Sequence, residues 1–376
     1  MKRICFVTTS PLIVNFFLAP QLLSLRARYE MTLVVNTGEG VPLVPLPGVD
    51  VVSLDLQRRW SPFSDLSAVV RLVSLFARRH FDLVHSFSPK AGLLTMLAAR
   101  LAGVPRRVHT FTGQIWVTGS WPKRVLLKSA DLSIARLATH LLADSPSQRD
   151  FLIAHKVVTA GRSHVLGSGS ISGVDARRFR PDHEARLDVR AELSIPADAQ
   201  VILFLGRLKK EKGVSELAAA FARLAAGHRD VHLLLVGPDE ESLLEGVLET
   251  CAPFADRVRN VGYTFTPERY IAASEILALP SHREGFGSVI IEAAAAGVPA
   301  VASRIYGISD AIVDETTGLM HEAANPVDLA RQLERLLADE VLRVKLGTQA
   351  RERALREFTQ QRVCELIAAF YQDILQ

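Results

Sequence analysis

Short apolar runs typical of buried strands alternate with helical stretches along almost the whole chain. In the first half, the predicted strands are residues 3–9, 31–36, 49–54, 82–86, 106–110, 140–144 and 164–167. The predicted helices between them include residues 15–28, 64–80, 90–102 and 122–138. Such alternation is typical of parallel sheets that are covered by helices on both faces.

The alternation is interrupted once, by a Gly- and Ser-rich run at residues 167–173. It then resumes, with predicted strands at residues 201–205, 231–236, 258–261, 276–280 and 298–302. We therefore predict an α/β protein with two doubly wound domains, residues 1–170 and 181–357, joined by a linker at 171–180. Residues 358–376 form a final amphipathic helix in this prediction. Ligands in such sheets bind at the carboxyl ends of the strands.

Composition and cysteine usage restrict the class of protein. The chain has 376 residues, of which 48% are hydrophobic and 22% charged, enough for two domains with their own cores. The three cysteines are scattered, which argues against a disulfide framework or a zinc site and fits a reducing compartment. Thr8, Thr9 and Ser10 interrupt the apolar amino terminus, so we predict a first strand rather than a signal peptide.

The two halves carry opposite charge. Residues 1–170 contain 20 Lys and Arg against nine Asp and Glu, a net charge of +11, whereas residues 171–376 contain 24 against 31, a net charge of −7. The basic half suggests an anionic partner: a membrane surface, a diphosphate or a nucleic acid. Residues 58–63 and 116–128 mix Trp and Phe with cations, as at a membrane interface, although Trp in a core is an equal alternative. We find no nucleic-acid recognition motif, and predict no nucleic-acid partner.

A strand, a glycine turn and a helix follow one another at residues 276–297. The turn is Glu284-Gly285-Phe286-Gly287-Ser288, and the Ala-rich helix after it can end at Gly297. Gly285 and Gly287 allow backbone to approach a ligand closely, and the N–H groups of Phe286, Gly287 and Ser288 can hold an anion. Ser288 is predicted to cap the helix and to reach phosphate. Two carboxylates, Glu284 and Glu292, bracket the turn and can each accept hydrogen bonds from a sugar diol.

A second motif follows the strand at 201–205. Arg207 stands at the strand end and Lys212 just before a helix, where both can reach one diphosphate. The alternative is two surface cations, but a helix amino terminus repels a cation unless an anion lies between them. We find no Asp-x-Asp motif, no His and Cys cluster with metal spacing, no Walker A sequence and no dinucleotide fingerprint. We therefore expect neither a metal nor a cofactor.

In this order, the Gly-Arg…Glu-Lys-Gly and Glu-Gly-Phe-Gly…Glu segments resemble the retaining glycosyltransferases of family 4, which have the GT-B fold. The resemblance covers nearly the whole chain. It implies two Rossmann-like domains facing across a cleft, the acceptor on the first and the nucleotide-sugar donor on the second, with the last helix packing back on the first domain. It also implies that Arg207 and Lys212 bind the donor diphosphate, Glu284 the donor sugar and Glu292 the ribose.

The first half holds the remaining candidates. The resemblance places His109, at a strand end, beside the donor sugar and near the reaction centre. His85 and Lys90 are candidate acceptor ligands, Lys90 for acceptor phosphate; many relatives have His-x-His where this chain has His85 and Phe87. Ser10 and Asn15 are weaker acceptor candidates, because their loop lacks the Gly-Gly pair common in the family.

Residues 109–118 and 165–175 resemble bacterial enzymes that extend undecaprenyl-diphosphate-linked sugars, including N-acetylgalactosaminyl transferases. We expect a retaining, metal-independent transferase, peripheral on the cytoplasmic face of the membrane, that moves an N-acetylhexosamine from a UDP-sugar to a polyprenyl-diphosphate-linked saccharide. One alternative is a UDP-sugar 2-epimerase of the same fold, which the Glu284…Glu292 pattern disfavours. The other is a catalytically inactive nucleotide-sugar-binding scaffold, against which the intact Arg207, Lys212, Glu284 and Glu292 argue.

Overall fold

A computed structural model describes residues 1–57 and 61–376. The chain divides into two units, each with its own parallel sheet. The first unit is Met1–Gly173 together with Gln360–Gln376, and the second unit is Val174–Thr359. Arg58, Arg59 and Trp60 of the first aromatic and basic stretch lie outside the described residues, so that part of the prediction stays a prediction.

The first unit contains strands β1 to β7 and helices α1 to α6. The strands are β1 (Arg3–Val7), β2 (Glu30–Val35), β3 (Val49–Ser53), β4 (Leu83–Phe87), β5 (Arg106–Phe111), β6 (His140–Ala143) and β7 (Ser163–His164). The helices are α1 (Pro11–Ile13), α2 (Ala19–Leu25), α3 (Pro62–Arg79), α4 (Pro89–Leu101), α5 (Trp121–Leu137) and α6 (Pro146–Ala154). The sheet order is β3-β2-β1-β4-β5-β6-β7, with every pair parallel. The order reverses between β1 and β4, which opens a crevice at their carboxyl ends.

The prediction of one continuous helix at residues 15–28 is wrong. The chain instead passes from α1 through a π-helical turn, Val14–Leu18, into α2. Pro20, near the start of α2, has no N–H to give to the carbonyl of Phe16. The chain accommodates the missing α-helical bond with the wider turn.

The second unit contains strands β8 to β13 and helices α7 to α14. The strands are β8 (Gln200–Leu205), β9 (Val231–Val236), β10 (Val258–Gly262), β11 (Ile276–Leu279), β12 (Ala300–Ser303) and β13 (Gly318–His321). The helices are α7 (His183–Glu192), α8 (Val214–Ala225), α9 (Leu244–Thr250), α10 (Pro267–Ala272), α11 (Ser288–Ala295), α12 (Ile308–Ala311), α13 (Pro326–Ala338) and α14 (Glu340–Glu357). The sheet order is β10-β9-β8-β11-β12-β13, again parallel throughout. Its order reverses between β8 and β11.

The last helix, α15 (Gln360–Ile374), belongs to the first unit. Its residues Ile367, Ala368 and Tyr371 are buried in the core that also includes Phe6 and Phe87. Two parallel α/β sheets were predicted from the sequence, and that prediction is confirmed. The strand β13 was not predicted, because only two of its residues, Leu319 and Met320, are large and apolar.

Candidate active site

The second unit's motifs meet where the strand order reverses. The Arg207–Lys212 segment follows β8 and the Glu284–Ser288 turn follows β11, so both leave the carboxyl edge of neighbouring strands. Gly213 has a φ of +70° and packs so closely on β11 that a Cβ atom would lie 2.0 Å from the carbonyl oxygen of Pro280. Only glycine allows this approach, and it brings Lys212 beside the second motif.

Lys212 and Glu284 are in direct contact. Lys212 Nζ lies 2.5 Å from Glu284 Oε1, and the hydroxyl of Ser281 donates to the same oxygen at 2.9 Å. The two charged side chains are 17% and 14% exposed, so water screens their interaction only partly. The predicted diphosphate ligand and the predicted sugar ligand are therefore neighbours in one site.

Arg207 has different partners. Its guanidinium donates to Glu240 Oε2 at 3.2 Å and lies 3.9 Å from Glu211 Oε1. The side chain is 43% exposed, so such an ion pair adds little to stability. Arg207 thus sits at the rim of the site, with its charge held by carboxylates that an incoming anion can replace.

A second ion pair joins the two loops and was missed by the sequence reasoning. Arg283 Nη2 donates to Glu211 Oε2 at 2.6 Å, and the backbone N–H of His282 donates to the carbonyl oxygen of Glu211 at 2.9 Å. Burial raises the pKa of Glu211, but Arg283, Lys212 and Arg207 together hold that pKa below its usual value. The only signal in the sequence is adjacency: Glu211 precedes Lys212, and Arg283 precedes Glu284.

We expect the Glu211–Arg283 pair to position Lys212 opposite Glu284. Glu211→Arg and Arg283→Glu should each lower kcat/KM, because each leaves two like charges at the loop contact. The double exchange should recover part of the loss, with a coupling energy of about 1–3 kcal/mol. The test is a double-mutant cycle on kcat/KM, with thermal unfolding measured in parallel. Strictly additive losses would contradict the positioning role.

The start of helix α11 differs from the prediction. Gly287, with a φ of +82°, occupies the cap position and Ser288 is the first helical residue, so the prediction that Ser288 caps the helix is wrong. Glycine takes that place because it alone adopts the left-handed conformation cheaply. Among the described residues, the N–H groups of Phe286, Gly287 and Ser288 have no hydrogen-bond acceptor. They leave an anion-binding helix start beside Lys212 and Glu284.

Gly285 and Phe286 pack this turn against neighbouring parts of the second unit. Gly285 is buried, and its carbonyl oxygen lies 2.6 Å from where a Cβ atom of Gly307 would be, so the loop after β12 packs directly on the turn. The side chain of Phe286 is buried against the ring of Phe358, at 5.2 Å between centroids. Its role in the site is therefore limited to its backbone.

Glu292 lies one turn into α11, in a partly buried position. Burial raises the pKa of its carboxyl group to about 7, Arg178 lowers it and Glu268 raises it further. A hydrogen bond from a ribose diol favours the ionised form. In the predicted role of Glu292 as a ribose ligand, donor binding is linked to ionisation of its carboxyl group.

This linkage gives a pH dependence. As pH rises through about 7, Glu292 ionises in the free protein, so the Kd for a UDP-sugar should fall between about pH 6 and pH 8. A UDP-sugar is the better probe than UDP, since its diphosphate has no terminal group that titrates in this range. Calorimetric titration of the protein and of Glu292→Gln provides the test. An equal pH dependence in both proteins would exclude Glu292 as its origin.

In the first unit, His109 and His85 point to opposite faces of the sheet. They lie on neighbouring strands, where His85 pairs with Val108 and His109 with Ser86. His109 Nδ1 is 2.9 Å from the hydroxyl of Ser86, and the ring lies under α4, where a Cβ atom on Gly92 would approach it to 2.5 Å. Burial lowers the pKa of His109 to about 3, so its imidazole is neutral at physiological pH.

His85 is held on the other face. Its Nε2 atom is 2.7 Å from Thr110 Oγ1, and its Nδ1 atom is hydrogen-bonded to the hydroxyl of Tyr371 in α15. Burial, followed by the nearby His109, lowers the pKa of His85 well below its usual value. His85 thus connects β4 to the last helix, and both its ring nitrogens have protein partners.

The other first-unit candidates surround the β1 and β4 loops. Lys90, near the start of α4, is 5% exposed and its Nζ atom lies 2.5 Å from Asp65 Oδ1. Ser10 caps α1 by accepting from the N–H of Leu12 at 3.4 Å. The amide of Asn15 donates to the carbonyl of Pro42 at 2.9 Å and accepts from the N–H of Val44 at 3.0 Å. Ser10 and Lys90 flank the crevice, whereas Asn15 holds the loop that follows β2.

Residues 1–57 and 61–376 show neither a metal-ligand cluster nor a membrane-spanning helix. They hold no cluster of three or more His, Cys, Asp or Glu side chains arranged to bind a metal ion. Their helices include none that is long and apolar enough to span a bilayer.

Both units match known family models. Residues 186–353 match the glycosyl transferases group 1 model and residues 19–169 the glycosyl transferase 4-like domain. The chain is 31% identical over 340 residues to a D-inositol 3-phosphate glycosyltransferase of Arthrobacter sp., covering 84% of this chain and 79% of the relative. It is 29% identical over 326 residues to the capsular polysaccharide biosynthesis glycosyltransferase CapM of Staphylococcus aureus, covering 86% and 84%.

The fold is also shared with a solved protein structure that contains UDP and glucose. The structure of Anabaena Alr3699/HepE with UDP and glucose superposes with a TM-score of 0.83 at 18% identity, covering 99% of this chain and 100% of that one. The two parallel sheets and this likeness define a GT-B architecture. The chain belongs to the group 1 glycosyltransferases, with the 4-like domain in its first unit and the group 1 domain in its second.

Proposed function

We propose that the protein is a retaining glycosyltransferase that moves an N-acetylhexosamine from a UDP-sugar to a polyprenyl-diphosphate-linked saccharide during bacterial glycan assembly. Membership of the group 1 glycosyltransferases supports a nucleotide-sugar donor. The similarity to CapM supports a role in assembling a surface polysaccharide or a related glycan. The sugar, the acceptor and a place on the cytoplasmic face of the membrane come from the resemblance of residues 109–118 and 165–175 to enzymes of this kind.

One observation supports this proposal above the others: the contact between Lys212 and Glu284. In a nucleotide sugar, a single oxygen joins the diphosphate to the sugar. Protein groups that bind these two parts must therefore be neighbours. A cation for phosphate and a carboxylate for sugar hydroxyls meet here, beside the unpaired N–H groups of the α11 start.

Each residue then has one task. Lys212, Arg207 and the N–H groups of Gly287 and Ser288 stabilise the negative charge that builds on the departing diphosphate. Glu284 orients the sugar, and Glu292 accepts hydrogen bonds from the ribose. Because His109 is neutral, it can hydrogen-bond a sugar hydroxyl but cannot neutralise phosphate.

The proposed reaction is a same-face substitution. The bond between the anomeric carbon and the diphosphate oxygen breaks, and a bond from that carbon to the acceptor hydroxyl oxygen forms on the same face. The departing diphosphate takes the hydroxyl proton, so the products are UDP and an acceptor longer by one sugar. We assign no protein nucleophile and no metal to the step.

Mass spectrometry of reaction products tests the proposal. Purified protein is incubated in EDTA with a panel of UDP- and GDP-sugars, with and without polyprenyl-diphosphate saccharides. A lipid product heavier by one N-acetylhexosamine, formed from the UDP-sugar alone, is the expected result. Release of UDP with an epimerised free sugar, in the absence of acceptor, would replace the proposal with the epimerase. Tight UDP binding without turnover on any acceptor would favour an inactive scaffold.

A further inference from the structure

Helices α3, α4 and α5 cover one side of the first unit's sheet. Helix α4 packs between the other two. On the outer side of α3 and α5, large apolar side chains face solvent: Phe63 is 89% exposed, Leu66 65%, Val70 61%, Trp121 77%, Val125 49% and Leu126 65%. We call the outer sides of these three helices the three-helix face.

The apolar residues of this face follow helical spacing. Phe63, Leu66 and Val70 lie three and four residues apart, and Trp121 and Val125 lie four apart, so each set forms a stripe along its helix. Helix α3 has a second stripe, which includes Leu72 and Phe76 and is buried in the core. A helix that only covers a sheet needs one apolar stripe. The outer stripe of α3 therefore lacks a partner within the described part of the unit.

The charges of the three-helix face have one sign. Its exposed charged side chains are Arg71, Arg78, Arg100, Lys123, Arg124 and Arg136. The two carboxylates of these helices point inward, Asp65 to Lys90 and Asp131 to the indole N–H of Trp116 at 2.8 Å. The described residues of α3, α4 and α5 thus present cations and apolar groups to solvent, without an exposed acid among them.

The direction of the helices places these residues near one edge. Helices that connect parallel strands run against the strands, so α3 and α5 begin at the carboxyl edge of the sheet. Phe63 and Trp121 lie in their first turns. The crevice between the β1 and β4 loops, with Ser10 and Lys90, opens at the same edge.

We propose that the three-helix face docks on an anionic lipid bilayer, with Phe63 and Trp121 in the interface and Lys123 and Arg124 against the headgroups. Aromatic side chains combined with cations are the composition that binds such a surface. The proposal rests on the proposed function, since a polyprenyl-linked acceptor is confined to the membrane. Docking through this face would place the crevice next to the headgroup of that acceptor.

Co-sedimentation with vesicles tests the docking surface. The full-length protein is mixed with vesicles of phosphatidylcholine alone or of phosphatidylcholine with phosphatidylglycerol. Lys123→Gln with Arg124→Gln should weaken binding to the anionic vesicles by about 30-fold, from the usual contribution of two cations near a charged membrane. Phe63→Ser with Trp121→Ser should weaken vesicle binding at every salt concentration. The loss of binding caused by Lys123→Gln with Arg124→Gln should become smaller as the salt concentration rises.

The matched control lies in the second unit. Val341 and Val344 of α14 are also exposed, 80% and 58%, at helical spacing, but Glu340 lies beside them. Val341→Ser with Val344→Ser should leave sedimentation unchanged. Wild-type binding by both three-helix-face variants would overturn the proposal. Loss of self-association in place of lipid binding, seen by analytical ultracentrifugation, would also overturn it and assign the face to a second copy of the chain.

Transfer to a short-chain, water-soluble acceptor separates this proposal from the proposed function. The three-helix-face variants should transfer to it at the wild-type rate and lose transfer only to acceptor in vesicles. If the wild-type protein binds anionic vesicles but transfers to neither acceptor, the proposed function fails and the docking surface stands. Equal transfer to vesicle-bound acceptor by wild type and variants would overturn the docking surface alone.

Discussion

A Lys212→Ala variant should lose about 100- to 1,000-fold in kcat for sugar transfer, the usual effect of removing one preorganised group that stabilises transition-state charge. Lys212 lies 2.5 Å from Glu284, and the proposed function places the junction of donor diphosphate and sugar between them. The lysine meets full charge only when the diphosphate departs, so kcat should fall more than KM rises. Initial rates with saturating UDP-sugar and acceptor give this measurement.

The matched control is Lys210→Ala. Lys210 is exposed in the same segment, two residues earlier, and the change removes the same charge and side-chain length. It should retain wild-type kcat. Lys210→Ala should unfold at the wild-type temperature. Lys212→Ala should unfold at a lower temperature, because it leaves the largely buried Glu284 without its counter-charge, so kcat is compared at a temperature at which both variants are folded. Near-normal turnover by Lys212→Ala would exclude the assigned role.

The fold and the centre of the candidate site were predictable for local reasons. The apolar runs at β8, β9 and β11 are short, are interrupted only by His232 in β9, and are each followed by glycine or proline, so buried parallel strands were the direct interpretation. The two motifs each follow such a strand. Because ligands in such sheets bind at the carboxyl ends of the strands, each motif was expected to face a ligand, and the pairing of β8 with β11 in the structure brings the two motifs together.

Contacts between loops that are distant in the chain could not be predicted from the sequence. Glu211 and Arg283 are 72 residues apart, and their pairing depends on Gly213 packing against Pro280. The two histidines illustrate the same limit. Whether His85 and His109 share a face depends on the register between β4 and β5, and a shift by one residue would reverse the answer. The prediction that Ser288 caps α11 was wrong for a local reason, since Gly287 occupies the cap position that a serine often fills.

A buried network at the opposite edge of the second sheet concerns stability rather than chemistry. Arg190 is 2% exposed, and its guanidinium donates to Glu275 Oε2 at 2.8 Å and to the carbonyl oxygen of Ala199 at 2.8 Å. Glu275 also accepts from the backbone N–H of Val201 at 2.6 Å. Glu275 therefore connects the amino ends of β8 and β11, the strands whose carboxyl ends lead into the candidate site.

Glu275→Ala should destabilise the second unit by about 3–5 kcal/mol, because it leaves the buried Arg190 charge without its counter-charge. Urea unfolding followed by far-UV circular dichroism should show an early transition. Tryptophan fluorescence should not show it, since the second unit, Val174–Thr359, contains no tryptophan. The exposed Glu249→Ala is the control, and should unfold at the wild-type urea concentration.

Measurements of kcat distinguish the stability variant Glu275→Ala from the active-site variant Lys212→Ala. Glu275→Ala should keep wild-type kcat per folded molecule at low temperature and lose it in parallel with the circular dichroism signal. Lys212→Ala should have a low kcat at every temperature at which it is folded. If Glu275→Ala instead unfolds with the wild type, the network contributes no net stability, and the cost of removing Arg190 from water has cancelled its ion pair. The amino ends of β8 and β11 would then be held by strand pairing and apolar packing alone.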